Sequence, residues 1–427
     1  MDLKSVIKEQ REELEKIEKE EKIIERTDLE MSKKALKYPN VLAILGIRRC
    51  GKSIFSYLLA KQHNFAYINF DDERLAGLAG KDLNTVLEAF YELYGDMEYI
   101  LLDEIQNVDA WELFVNRLRR TKKIILTGSN STLLSGELST HLTGRYLDRV
   151  LFPFSFKEFL KLREVKEDKA YTTQEKARIM VLLQEYLEIG GFPEAYKFGK
   201  GMISRIYEDI VTKDILLRHN IAKKEELKKL AKYLITNSCE QITYSRLARI
   251  FNIKHVSTIS NWISYFENAF LLFTLERFDF KLKQQGIAPK KVYCIDPGMV
   301  NAVGFRFSEN KGKAIENEVA IELQRRKAVD PSLEVYYWRD HQQNEVDFVL
   351  KVNKIIGALI QVSYITTKEE IKEREIKALL RAARELKCRN LLVITWDYSS
   401  EEKIEGEKIK FIPLWTWLLN NEIQTQR

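Results

Sequence analysis

The sequence predicts a chain of α/β class: a parallel sheet with helices on both faces, then a helical and winged-helix middle, then a second α/β region. Three observations carry this. Between residues 36 and 156 the runs VLAILGI, FAYINFD, EYILLDE and KKIILTGSN alternate with helical patterns. Near-continuous apolar runs of that length, separated by amphipathic helices, indicate strands buried on both faces of a parallel sheet. A Gly-rich turn, GIRRCGKS, joins the first run to a helix. Beyond residue 225 the order becomes helix, helix, helix, strand, strand, which suits a winged helix-turn-helix.

Residues 1–35 are rich in Glu and Lys, with sparse apolar positions such as Ile7, Leu14 and Ile17. They predict a solvated helix laced by i,i+4 ion pairs. A clamp on a neighbouring subunit or a ligand is the alternative. Residues 36–156 hold the sheet, with LDRVLFPFSF as its fifth strand. Residues 157–225 read as a helical lid or linker containing the turn YLEIGGFPEAY. Residues 226–300 hold the helices ELKKLAKYLITNS, TYSRLARIF and HVSTISNWISYFENAFLLF, then the strands FTLERFDF and KKVYCIDPG. Residues 301–427 mix helix and strand again: KAIENEVAIELQRR, VYYWRD, VDFVLKV, GALIQVSY, a charged helix near 368–387, and NLLVITWD.

Length and charge set the frame. The 427 residues allow several domains, and a formal charge of +6 permits nucleic-acid binding without demanding it. The cysteines, Cys50, Cys239, Cys294 and Cys388, are far apart and form no C-x-x-C, which argues against a zinc knuckle or a disulfide framework. No apolar stretch is long enough for a membrane span, and the charged first thirty residues do not read as a signal peptide. A cytoplasmic protein with no membrane partner is expected.

The most specific motif runs from Gly46 to Ser53 and matches G-x-x-x-x-G-K-[ST] at every fixed position. A strand precedes it and the helix IFSYLLAK follows. Gly46 and Gly51 let the backbone curl, so that successive N–H groups point at phosphate oxygens. The helix N-terminus adds partial positive charge. Lys52 is expected to reach the β- and γ-phosphates of ATP, and the Ser53 hydroxyl to ligate Mg²⁺. Arg48, Arg49 and Cys50 fill the variable positions, and Ile54 closes the nucleotide-holding turn. A second motif, YILLDEI, is an apolar strand ending in two acids. Asp103 is expected to hold the Mg²⁺ shell, and Glu104 to polarise the attacking water. A third run ends in Thr127-Gly128-Ser129-Asn130, polar groups beside the Asp103 strand that could sense the γ-phosphate. A helix is expected next, with Arg145 near its end in LTGRY; the plain alternative for Arg145 is a surface ion pair.

GIRRCGKS, LLDEIQNV, LTGSNSTLLS, LTGRY, PFSFKEF, YLEIGGFPEA, IVTKDIL, YCIDPGMVNAV and NEVDFVL together resemble the AAA+ ATPases. More narrowly, they resemble the archaeal ATPase group in which a P-loop domain precedes a winged helix and a restriction-nuclease-like C-terminal domain. The resemblance covers nearly all of the chain after residue 35. It implies ATP hydrolysis, a sensor at Ser129 or Asn130, of which the Asn130 carboxamide is the better directed donor, and an arginine finger at Arg145. A finger implies a homo-oligomer in which Arg145 acts in trans on a neighbour's ATP.

Two further segments bear on the partner. Between Glu225 and Gln285 stand nine Lys/Arg and six Asp/Glu. His255, Ser257, Thr258, Ser260 and Asn261 lie near the start of the third helix, where side chains suit DNA bases or phosphates. Trp262, Phe266 and Phe270 read as core. A module recognising protein or packing between domains is the other reading. In the last region, a nuclease needs acids around Mg²⁺ and a lysine beside the water. Glu316 and Glu318 lie on a helix and Asp347 opens a hairpin, but the closing acid and lysine have become Gln361 and Ser363. An inactive scaffold is expected, with Glu345 and Asp347 as plain surface acids. The sequence thus points to an Mg²⁺-dependent ATPase coupling hydrolysis to conformational work on duplex or branched DNA. A protein-remodelling or signalling switch is the second reading, and an ATP-coupled nuclease the third.

Overall fold

The computed structural model describes residues 2–38, 41–131, 133, 142, 144–166, 168, 170–305 and 310–420. The chain divides into two compact units. One holds residues 1–153, 161–164 and 268–270, and the other 154–160, 165–267 and 271–427.

The first unit contains α1 (Leu3–Glu20), α2 (Leu29–Ala35), β1 (Val41–Leu45), α3 (Lys52–Ala60), β2 (Phe65–Asn69), α4 (Leu83–Tyr94), β3 (Tyr99–Asp103), α5 (Glu112–Leu118), β4 (Lys123–Gly128) and β5 (Tyr146–Val150). The strands form one sheet in the order β2-β3-β4-β1-β5, all parallel. Strands β1 and β3 are buried at every position, as their uninterrupted apolar runs require. The inserted strand β4 lies between β1 and β3. It brings the Thr127–Asn130 turn between the Gly-rich loop and the Asp103-Glu104 pair. The expected fifth strand ends earlier than its apolar run, at Val150. The helix expected between Asn130 and Arg145 falls largely outside the described residues.

α1 corrects the expectation of a solvated helix. Its outer face carries the i,i+4 pairs Lys8–Glu12 and Lys16–Glu20. Its inner face buries Val6, Ile7, Gln10 and Leu14. Gln10 donates to the Asn69 carbonyl at 3.1 Å and accepts from the Asn69 N–H at 2.9 Å. Arg11 donates to the Phe65 carbonyl at 2.9 Å and stacks over the Phe65 ring. The helix therefore covers the outer edge of β2, which would otherwise present unpaired backbone groups.

The second unit begins with α6 (Phe156–Leu162), α7 (Thr173–Ile189), α8 (Pro193–Phe198) and α9 (Gly201–Asp209), which runs into a π-helical segment at Ile210–Leu217. Then come α10 (Lys224–Thr236), β6 (Glu240–Ile242), α11 (Tyr244–Ile250), α12 (Val256–Asn268), β7 (Leu272–Leu275), α13 (Leu282–Ile287) and β8 (Lys290–Cys294). The antiparallel order β6-β8-β7 adds a strand, β6, that sequence reading missed. The third helix ends sooner than its apolar run, because Phe270 takes a left-handed φ of 56° and Leu272 already belongs to β7. Trp262 and Phe266 are buried, and Phe270 is half-buried.

Next are α14 (Pro297–Val303), α15 (Lys311–Val329), β9 (Leu333–Arg339), β10 (Glu345–Val352), β11 (Ile355–Val362), α16 (Glu373–Leu386), β12 (Leu391–Thr395), β13 (Ser400–Ile404), β14 (Glu407–Pro413) and α17 (Leu414–Leu419). They build a six-stranded mixed sheet, β13-β14-β12-β11-β10-β9. Ile376, Leu379, Leu380 and Ala383 of α16 pack on one of its faces with Val349, Leu359 and Val393. The YLEIGG turn is locked within this unit. The Asp296 carboxylate accepts from the Gly191 N–H at 2.6 Å and the Met299 N–H at 3.0 Å. A Cβ on Gly190 would fall 2.0 Å from Asp296 Oδ1.

Candidate active site

The Gly-rich loop connects β1 to α3. Gly46 has φ 151°, and a Cβ there would lie 2.1 Å from the Leu151 carbonyl oxygen; Gly51 has φ 97°. Both positions need glycine for the loop to curl. Arg49, at φ 64° and exposed, completes the curl. Arg48 donates to Asp71 at 3.0 Å. Cys50 is fully buried, its thiol against the Leu151 carbonyl at 3.3 Å. Ser53 and Ile54 are half-buried in the first turn of α3.

Lys52 is buried. Its Nζ donates to the Ile47 carbonyl at 3.2 Å and lies 3.3 Å from Glu104 Oε1. Burial alone would lower its pKa, but the neighbouring Glu104 charge holds it above its ordinary value. Burial raises the Glu104 carboxyl, and the Lys52 charge overrides it, so Glu104 sits below the usual range. The structure thus pairs the loop cation with one acid of the β3 terminus. The other acid, Asp103, is pushed up by burial and by the neighbouring Glu104 charge, against hydrogen bonds from Ser53, Thr127 and Tyr67. A carboxylate raised in this way gains most from an added cation.

Four polar residues wire the acids in place. Tyr67 donates to Asp103 Oδ2 at 2.8 Å, and the Thr127 hydroxyl bonds Asp103 Oδ1. The Thr127 oxygen also accepts the Glu104 N–H at 3.0 Å. The Ser129 N–H donates to Glu104 Oε2 at 3.1 Å, and Gln106 bonds the same oxygen. Asn130 is fully buried at the end of β4. Tyr67, Gln106 and Arg26 were missed in the sequence. Arg26 is buried and donates to the Cys50 carbonyl at 3.0 Å and to the Phe152 carbonyl, bracing the loop from behind.

Arg145 does not join this cluster in the same chain. β5 runs parallel to β1 with Tyr146 opposite Val41, so Arg145 stands at the start of the sheet while the loop leaves its other end. Five residues of strand place them roughly 16 Å apart. Arg145 is exposed.

Ser53 and Asp103 offer a hydroxyl and a carboxylate, the hard oxygens Mg²⁺ selects, and Mg²⁺ is usually completed by substrate phosphates and water. Among the described residues no group of three His, Cys, Asp or Glu is arranged to hold a metal ion. Ser53 and Asp103 would leave the rest of an Mg²⁺ shell to phosphate oxygens and water.

The hairpin of β10 and β11 departs from expectation. Asp347 and Glu345 are not plain surface acids. Asp347 is buried, and its Oδ2 accepts from Gln361 Nε2 at 2.7 Å and the Val362 N–H at 3.0 Å. Lys291 of β8 lies 2.7 Å from Glu316, 2.7 Å from Glu345 and 3.1 Å from Asp347. Burial first, then the Glu316 charge, pushes the Asp347 carboxyl up to about 7. Glu318, two residues along α15, faces away from the hairpin and meets Arg325 at 3.3 Å and Tyr186.

The sheet order and the loop after β1 define an AAA-type P-loop protein, and residues 38–160 match the family model described as an AAA domain. Residues 180–311 and 311–417 match two models each described as a domain of unknown function, DUF8612 and DUF4143. The chain belongs to the family of Uncharacterized protein MJ1544 of Methanocaldococcus jannaschii. The two are 37% identical over 424 residues, covering 94% of this chain and 92% of that protein. An uncharacterized protein of Haemophilus influenzae is 28% identical over 398 residues, covering 88% of this chain and 94% of its own. Among solved structures, the Walker-type ATPase PABY2304 of Pyrococcus abyssi superposes with a TM-score of 0.43 at 15% identity, over 66% of this chain and 96% of that one. Cdc6p from Pyrobaculum aerophilum superposes with a TM-score of 0.27 at 12% identity, over 66% and 94%. Both scores are low, and the P-loop fold rests on the strand order and the AAA-domain match.

Proposed function

We propose that this chain is an Mg²⁺-dependent ATPase that turns ATP binding and hydrolysis into conformational work. The buried Lys52–Glu104 pair carries the reading. A lysine held charged by a catalytic-type acid, beside backbone N–H groups shaped by Gly46 and Gly51, is a resting site for a triphosphate. When ATP binds, Lys52 exchanges Glu104 for phosphate oxygens, which frees the carboxylate to orient water. Ser53 and Asp103 would hold Mg²⁺, whose chemistry is to neutralise charge developing on the phosphates. Asn130 would sense the γ-phosphate, and Arg145, too far to serve its own loop, would reach the ATP of a second copy in a homo-oligomer.

The proposed substrate is duplex or branched DNA, met through a winged helix formed by α10–α12 and β6–β8. His255, Ser257 and Asn261 are exposed at the start of α12, as such contacts need. A specific observation favours the second reading, a protein-remodelling switch: Phe280, Leu282 and Ile287 in the β7–β8 connection are exposed at 72%, 82% and 70%. The test of the core reading is steady-state phosphate release. Lys52→Ala is expected to lose turnover by at least about 100-fold. Turnover equal to wild type would remove the P-loop as the site.

A further inference from the structure

Lys291 and the acids around it form a second charged cluster that the ATPase reading does not use. Lys291 is 2% exposed. Its ammonium has three protons, and three carboxylate oxygens take them: Glu316 Oε1, Glu345 Oε1 and Asp347 Oδ1. The remaining acid contacts hold these groups in place. Tyr293 donates to Glu316 at 2.9 Å, Gln241 to Glu345 at 2.7 Å, and Gln361 to Asp347 at 2.7 Å. Three carboxylates converging on one buried point repel one another, and a cation among them offsets that repulsion. Four separate elements, β8, α15, β10 and β11, supply the parts.

A second observation points to a cation site rather than an ordinary ion pair. The Gln361 carboxamide is 7% exposed and its nitrogen is bound to Asp347, yet its Oε1 has no hydrogen-bond partner among the described residues. Ser363 Oγ, just past the end of β11, is 2% exposed and equally without a hydrogen-bond partner among the described residues. A spare buried carboxamide oxygen, on a residue already bound to Asp347, is a donor that a hard divalent ion takes.

As they stand these acids are not arranged to hold a metal ion, and we propose that Lys291 is the reason: its ammonium occupies, as resident cation, a latent divalent-cation site formed by Glu316, Glu345, Asp347 and the Gln361 carbonyl. The lysine that is missing from β11 enters instead from β8, at the place of the metal and not beside a water. The cluster then joins the β6-β8-β7 sheet to the β9–β14 sheet and excludes metal-dependent hydrolysis. This inference stands apart from the ATPase reading, since no residue of the loop takes part.

Mn²⁺ binding to the nucleotide-free full chain, followed by electron paramagnetic resonance, tests it, with melting temperature as the second readout. Any Mn²⁺ held near Ser53 and Asp103 is common to all variants. Wild type is expected to hold no Asp347-dependent Mn²⁺. Lys291→Met is expected to melt at least about 5 °C lower, to gain one Mn²⁺ site, and to recover its melting temperature with Mn²⁺. Lys291→Met combined with Asp347→Asn is expected to lose that site. The proposal is overturned if Lys291→Met gains no Mn²⁺, or if wild type binds Mn²⁺ that Asp347→Asn abolishes. Should Lys291→Met fail to fold without metal, folding restored by millimolar Mn²⁺ supports the proposal, and no restoration overturns it.

Discussion

Glu104 sits at φ 51°, a left-handed conformation that costs a non-glycine residue about 1–3 kcal/mol. The Thr127 hydroxyl on its N–H, and the Ser129 N–H and Gln106 on its carboxylate, hold it there. The strain aims the acid at Lys52 and not along the strand. None of this geometry was legible in YILLDEI, although the acid itself was. Thr127 and Ser129 come from β4 and the turn after it, and sequence spacing does not say that β4 lies next to β3. A different titration marks the second unit. Burial pushes the Glu318 carboxyl up to about 8, with the Arg325 charge opposing and Glu322 reinforcing. Unfolded, the group ionises near about 4.3. Between those values the folded chain keeps a proton that the unfolded chain has lost, so this contribution makes stability fall as pH rises. Melting of Glu318→Gln from pH 5 to pH 8 is expected to show a shallower decline than wild type. Parallel profiles would refute the assignment.

At the scale of elements, legibility followed burial. β1 to β4 were readable because strands covered on both faces read as unbroken apolar runs. α1 was misread because its inward face uses a polar residue, Gln10, and its apolar positions are sparse among Glu and Lys. The hairpin of β10 and β11 was readable as strands, but its chemistry was not. The ammonium that balances Asp347 enters from β8, and nothing in NEVDFVL points to KKVYC. The segment between α1 and α2 has a function that its sequence conceals. Arg26 ties the loop carbonyl of Cys50 to that of Phe152. Arg26→Ala removes the donor to the buried Cys50 carbonyl, at about 1–3 kcal/mol. Titration with a fluorescent ATP analogue is expected to show weakening of at least about tenfold. Arg26→Lys is expected to recover only part, because one ammonium lacks the planar fork that reaches two acceptors. Unchanged affinity in Arg26→Ala would assign the residue to stability alone.

At the scale of the whole molecule, the proposed finger role of Arg145 calls for a second copy, since Arg145 lies at the far end of β5 from its own loop. Lys52→Ala and Arg145→Ala are each expected to be inactive alone. Their mixture is expected to regain part of the turnover, since mixed assemblies contain sites with both groups intact. A mixture as inactive as its components would leave Arg145 as a surface charge. The DNA reading predicts that duplex or junction DNA stimulates turnover and that stimulation falls steeply between 50 and 200 mM salt, roughly as counterion release demands. Stimulation by a protein and none by DNA would favour the remodelling switch. The central claim is hydrolysis at the loop, with Glu104 activating water. Its most direct measurement is the fate of bound radiolabelled ATP in Glu104→Gln. The account predicts that the variant binds ATP with Mg²⁺ and retains it uncleaved, while wild type releases ADP and phosphate. Cleavage by Glu104→Gln at the wild-type rate would contradict it.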